Sequence, residues 1–226
     1  MELNLPEAFL LLSLLPDKPG FLISTEKLNP GIIGAIFMEL SLKNMMEIKD
    51  KRLIIKKLPK NLDYPFDEIV SRIYESKREK KIKSWISIFS HKGRKYRMHI
   101  LRGLENKGLI RITDKRVLFF PYKSISVVKK RVREDIIVNL RGVLLKGKDI
   151  NNQTASILGL IQACKIQKAL AKNRSDFNKI KIQLKESLKN DSISQDVDQM
   201  IKEMQVAVIG AIVVAGAAGA IGSGSG

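Results

Sequence analysis

The sequence predicts a mostly α-helical protein, a single globular helical domain with short β-hairpins. Three observations carry that expectation. Apolar residues recur at helical spacing, as in Ile32, Ile33, Ile36, Phe37 and Leu40. Two pairs of short apolar runs surround charged residues, at Lys49-Asp50-Lys51-Arg52 and around Asp114-Lys115-Arg116. The chain has 226 residues, enough to bury a core, and its one cysteine, Cys164, rules out an intrachain disulfide.

Taken in order, Leu5-Pro6-Glu7 opens a helix, because proline is tolerated in the first turn and an acid there suits the helix dipole. The apolar block 8–15 makes that helix a core element, and Asp17-Lys18-Pro19-Gly20 is a turn. A second helix is expected after Asn29-Pro30-Gly31. Residues 46–48 and 53–55 then flank the charged turn of a hairpin. Aligning Leu40 with Leu104 also places Asp50-Lys51-Arg52 on Asp114-Lys115-Arg116. A second unit of helix, short turn and hairpin is therefore expected, with its hairpin at 109–120.

Between the two units, 59–65 reads as a linker and 66–74 as a helix. The charge run 75–83 reads as a solvated helix face, and Trp85 as a core anchor. Residues 92–102 begin a helix that runs through Leu104 to Lys107-Gly108. Residues 124–142 read as a basic helix with Val128, Val132, Ile136, Leu140 and Val143 on one side. Helices over 154–171, 176–188 and 196–221 complete the second half. The apolar run 206–221 makes about 24 Å of helix, short of the ~30 Å hydrocarbon core. A buried helix with Gly210, Gly216 and Gly219 admitting close neighbours is expected there, with membrane insertion as the alternative. The domain is expected over 1–222, followed by a flexible Gly/Ser tail at 223–226.

The formal charge is +18, with an isoelectric point near 10.0. Such a field concentrates polyanions, whether nucleic acid or acidic membrane. A solvated basic surface in a lysine-rich composition is the plainer reading. The run 9–15 lacks the basic start of a secretory signal and ends at Pro16-Asp17, so a cytoplasmic protein is expected. Chemistry is sparse. His91 and His99 have no serine or cysteine nucleophile near them in sequence, and no zinc spacing or phosphate-binding glycine loop is present. Cys164 reads as a small buried hydrophobe and Glu39 as one side of a structural ion pair. No enzyme activity, metal, cofactor or small-molecule substrate is expected.

Binding candidates gather in 92–102. A helix carrying Arg94, Lys95, Arg97 and Arg102 before a basic hairpin outlines a winged-helix nucleic-acid binder. It has no Asn or Gln for base edges until Asn106. Arg94 and Arg97, three apart, also project from one side of a helix start, where free N–H groups favour phosphate. That suits an anionic membrane surface. An interaction scaffold with incidental charge is the third reading.

The order of segments resembles a known family. Leu3-Asn4-Leu5-Pro6-Glu7-Ala8-Phe9-Leu10-Leu11-Leu12-Ser13-Leu14 is similar to an L-x-L-x-E-E-x-x-L-L-L-x-L opening. Residues 34–42, from Gly34 through Glu39 and Leu40 to Leu42, resemble G-x-x-L-x-E-L-A-L. Trp85-Ile86 resembles N-W-I, and Leu104 to Ile110 resembles L-V-E-K-G-V-L. These motifs, in this order over 3–221, resemble the Golgi phosphoprotein 3 family, peripheral membrane proteins that bind phosphatidylinositol 4-phosphate.

The resemblance implies a mostly helical domain whose hairpin mediates self-association in eukaryotic members. It also implies a headgroup pocket with two arginines three apart, which fall on Arg94 and Arg97. The family's third arginine falls on Ile33 and its tryptophan on about Ser24, so the pocket departs from the pattern, although Lys27 is nearby. This divergence resembles a prokaryotic-type member. The combined expectation is a non-enzymatic protein held peripherally at the cytoplasmic face of a membrane. It would bind anionic phospholipid through Arg94, Arg97, Lys95, Lys27 and Arg102, with possible self-association through 109–120.

Overall fold

Side-chain oxygens fix the first helix in place. In the computed structural model, which describes residues 2–59, 61–189 and 192–221 apart from the side chains of Val117 and 215–221, Asn4 caps α1 (Leu5–Ser13). The Asn4 side chain accepts the Glu7 N–H at 2.9 Å, and Glu7 accepts the Asn4 N–H at 3.1 Å. Every residue of α1 is buried, as expected of a helix that is apolar all round. Its first N–H, on Leu5, donates to Glu39 at 2.8 Å, and Lys107 pairs with Glu7 at 2.6 Å. Glu39 also pairs with Lys43 at 3.0 Å, the structural role expected of it.

Glu39 belongs to α2 (Thr25–Leu42), which starts before Asn29-Pro30-Gly31 rather than after it. Ser24 has extended backbone, and the Lys27 and Leu28 N–H groups donate to its carbonyl, so the helix is under way before the proline. Pro30 has no N–H to donate and crowds the carbonyl of Glu26, and burial of Leu28 and Pro30 offsets that loss. Helix α2 packs against α1 and four later helices. Such close contact needs small residues. A Cβ on Gly31 would stand 2.5 Å from a Phe9 ring carbon and 2.6 Å from the Cys164 sulfur.

The first hairpin joins β1 (Met46–Lys49) to β2 (Arg52–Ile55), with Asp50 and Lys51 both at positive φ, as a two-residue turn requires. After α3 (Phe66–Tyr74) the charge run leaves the helix, contrary to the expectation of a solvated helix face. Lys81 bridges to Arg52, and the Leu53 and Ile82 N–H groups donate to the Lys80 and Lys51 carbonyls. The run thus lies along β2 until α4 (Ile82–Ser90) begins. In α4, Trp85 is buried and stacks on Phe89 at 5.6 Å, while Phe89 meets Phe37 edge-on at 6.1 Å.

Helix α5 (Gly93–Asn106) leads into β3 (Ile110–Val117) and β4 (Phe120–Val127). Helix followed by hairpin therefore occurs twice, but the two hairpins are not in register. Asp114 pairs with Lys123 inside the ladder, and the turn is Leu118-Phe119 rather than 114–116. Residues 124–127 are strand, not helix, because Ile125 and Val127 are buried and the Val128 N–H donates to the Leu109 carbonyl at 2.8 Å. Helix α6 (Lys130–Lys146) accordingly starts later than expected and buries Ile137, Leu140, Val143 and Leu144, leaving Val128 outside.

Helix α7 (Asn152–Cys164) stops where Lys165 takes the left-handed conformation at φ 58°, and a 3-10 turn at Gln167–Ala169 replaces its expected continuation. Arg141 pairs with Asp176, tying α6 to α8 (Arg174–Ser187). Helix α9 (Gln195–Ile221) packs on α2, α4 and α7 but is only half buried over its apolar part. Ala207, Val208 and Ala211 face the core while Val206, Ile209, Val213 and Val214 face outward, which corrects the expectation of a wholly buried helix. Among the described residues no helix is long and apolar enough to cross a membrane. The expected packing at Gly216 and Gly219 and the tail at 223–226 lie outside what is described.

Gly31→Ala should destabilise the protein by roughly 1–3 kcal/mol, because its methyl overlaps atoms of a filled core. Thermal unfolding followed by circular dichroism reads this. Adding Cys164→Ala should recover part of the loss, since the sulfur is one of the three overlapped atoms, beside two Phe9 ring carbons.

Candidate anion-binding site

The site grows from the contact between the first turn of α5 and the second turn of α2. A Cβ on Gly93 would stand 2.4 Å from Cγ of Asn29, so only a glycine lets the two helices meet this closely. Tyr96, Ile100, Leu101 and Leu104 then bury one face of α5. The cations of its first turns fall to two sides of that face.

On one side Lys92 and Lys95 converge on Glu68 of α3, at 2.7 and 3.6 Å. The Tyr96 hydroxyl donates to the same carboxylate at 3.1 Å, and the Lys95 ammonium lies 4.9 Å from the centre of the Tyr64 ring. Burial pushes the Glu68 carboxyl up, but the hydrogen bonds from Lys92 and Tyr96 and both lysine charges outweigh it. The group is held below the ordinary glutamate value.

On the other side Arg97 donates from Nη1 to Oδ1 of Asn29 at 2.8 Å, and its guanidinium lies 5.9 Å from the centre of the Phe21 ring. Phe21 is positioned by a β-bridge to Leu14, at the end of α1. Arg97 is half-buried and has no ion pair among the described residues. Burial lowers its pKa, and the charge of the exposed Arg94 lowers it further. Here a partly desolvated guanidinium has a neutral amide and a second cation for neighbours. Buried charges ordinarily find a counter-ion, so this corner favours an anion.

The other candidates are dispersed. Lys27 lies about 200° around α2 from Asn29. Its charge opposes burial at the Cys164 thiol, which desolvation pushes up to about 12. Arg102 is exposed about 12 Å further along α5 than Arg94, at 1.5 Å per residue. Ile33 is fully buried and belongs to the core. Ser24 precedes α2, and hydrogen bonds from Ser24 and from the backbone hold the exposed Glu26 carboxyl below its usual range. A cavity of about 300 Å³ reaches Asn29, the partner of Arg97, and is lined also by Thr25, Glu26, Ser90, His91 and Val214, among others.

Asn29, Glu68 and Phe21 were not legible as site residues. Asn29-Pro30-Gly31 carries the signal of a turn, and Glu68 lies one helix away from the cations it neutralises. Among the described residues no cluster of His, Cys, Asp or Glu is placed to hold a metal ion.

Fold and geometry together define a mostly helical, single-domain protein with an uncompensated arginine pair at a helix junction. The chain belongs to the Golgi phosphoprotein 3 (GPP34) family, whose model matches residues 5–204. That family is one of non-enzymatic, lipid-binding proteins. Among curated proteins, none matches the chain.

The Glu68 cluster sets a pH dependence. Its folded pKa is depressed, so its contribution to stability is present above the unfolded value of about 4.5 and is lost as pH falls through the folded value. In thermal melts from neutral to acid pH, Glu68→Gln should lie below the parent at neutral pH and converge with it in acid.

Proposed function

We propose that this chain is a non-enzymatic peripheral membrane protein that binds the phosphate of anionic phospholipid headgroups at Arg94 and Arg97, on the cytoplasmic face of a membrane. One observation carries the reading: Arg97 is half-buried, is held in place by a neutral amide and has no carboxylate partner among the described residues. An anion seated there supplies the missing counter-charge. Exposed Arg94 completes a two-arginine clamp, and the first N–H groups of α5 add a favourable dipole.

The remaining cations act at longer range. Lys95 is shared with Glu68, and Lys27 and Arg102 contribute to the positive field, each worth ~1 kcal/mol where it nears an acidic leaflet. Burial of Ile33 leaves no third arginine beside the pair, so phosphatidylinositol 4-phosphate is one anionic lipid among several rather than a required ligand. The second hairpin supports the same reading. Its tip exposes Leu118, Phe119 and Phe120, with Phe119 at 93%, beside Lys115, Arg116 and Lys123. Such a tip suits either the acyl boundary or the hairpin of a second copy.

Flotation with vesicles containing phosphoinositide, cardiolipin or only neutral lipid tests the proposal. Enrichment on both acidic vesicles is expected. Arg94→Ala with Arg97→Ala should weaken it roughly ten- to hundredfold, the loss of a charge-assisted contact of ~1.5–3 kcal/mol. Asn29→Asp should weaken it as well, by giving Arg97 a built-in counter-ion, without lowering the melting temperature. Absence of enrichment on any acidic vesicle, with salt-sensitive binding to duplex DNA instead, would overturn the reading.

A further inference from the structure

The last helix carries an apolar stripe that no other element covers among the described residues. Val206, Ile209, Val213 and Val214 of α9 are 69, 45, 64 and 55% exposed. Their spacing puts them on one side of the helix, opposite Val208 and Ala211 in the core. A helix that faces water only would carry charged residues here, yet there is no charged residue after Glu203.

The stripe reaches toward the residue that holds Arg97. Val214 lines the same cavity as Asn29, the residue that holds Arg97. Partway along, the end of the Lys83 side chain crosses Gly210, with Cε 3.0 Å and Nζ 3.3 Å from where a Cβ would stand. A lysine whose methylenes lie on apolar surface brings a positive charge to that surface, where it can pair with a lipid phosphate. One side of the molecule thus combines an apolar ridge with basic groups beside it, the composition of a helix lying in the plane of an interface.

We propose that the outer face of α9 is a second membrane-contact element, with Val206, Ile209, Val213 and Val214 entering the acyl boundary of an anionic bilayer while Arg94 and Arg97 take headgroup phosphates. The inference rests on the phospholipid reading above and adds a depth of insertion to it. Glu26 also lines the cavity at the end of the stripe, but the occupant is lipid rather than a second copy because the chain as a whole carries +18, which attracts an anionic bilayer and repels a like copy. A symmetric apolar contact would bring like charges together.

Single-cysteine variants Ile209→Cys and Val213→Cys, labelled with an environment-sensitive fluorophore, test this, with Val138→Cys on α6 as the control. Fully buried Cys164 is shielded from the label. With vesicles of phosphatidylcholine and phosphatidylglycerol, the probes at 209 and 213 should shift to the blue and be quenched by lipids brominated on their acyl chains. The probe at 138 should do neither. The unlabelled double variant Val206→Asp with Val213→Asp should lose vesicle binding by about tenfold or more, given the apolar area removed from the bilayer.

Vesicle binding with unquenched probes at 209 and 213 would overturn the inference and leave the headgroup reading standing. A blue shift without vesicles, accompanied by a rise in molecular mass with concentration, would assign the stripe to a second copy and also overturn it. No binding of the unlabelled protein to either phosphatidylglycerol or phosphoinositide vesicles would overturn both readings together.

Discussion

The near-complete burial of α2 is the constraint on which the rest of the structure depends. Residues Leu28 and 30–40 of that helix are buried, and α1, α4, α5, α7 and α9 are arranged around them. A helix enclosed in this way has nowhere to put polar groups except at its ends. Glu39 is the informative exception, because its carboxylate is fully used by the Leu5 N–H and Lys43. The first turn of α2, from Thr25 to Lys27, remains open to solvent, and one residue pair further on Asn29 reaches Arg97. The candidate site lies where the central helix comes to the surface.

Charge partition around α5 decides which cations are free. Lys92 and Lys95 share the one negative charge of Glu68, so the +18 of the whole chain overstates what that segment offers an anion. Arg133 sharpens the contrast. It is more deeply buried than Arg97, with an Nε that has no partner among the described residues; desolvation lowers its pKa, and the nearby charges of Glu134 and Asp17 offset part of that. Arg97 has the opposite surroundings, a cation for a neighbour and a neutral amide for a partner. Burial alone therefore does not mark a site; burial without compensation does.

Much of the fold was legible because it is written locally. The start of α1 at Leu5-Pro6-Glu7, the apolar face of α2 and the turn at Asp50-Lys51 each follow from a few neighbouring residues. Misreadings arose where a distant partner overrides local preference. The charge run 75–81 leaves the helix because β2 offers it hydrogen bonds. The second hairpin extends through Asp114-Lys115-Arg116 because its ladder continues to Val117 and Phe120, which puts Leu118 at φ 53°, an uncommon place for leucine. Of the candidate site, the arginine pair could be read from its spacing. Its partners Asn29 and Phe21 could not, since each meets Arg97 only through tertiary packing.

The central claim is that an anion completes the coordination of Arg97, and side-chain NMR of the arginine Nε–H groups tests it most directly. Titration with a short-chain phosphatidylglycerol below its micelle concentration should shift the Arg97 and Arg94 signals along one saturable curve. The signals of Arg133 and Arg141 should stay in place. An unmoved Arg97 signal, or equal small shifts across the exposed arginines, would contradict the account.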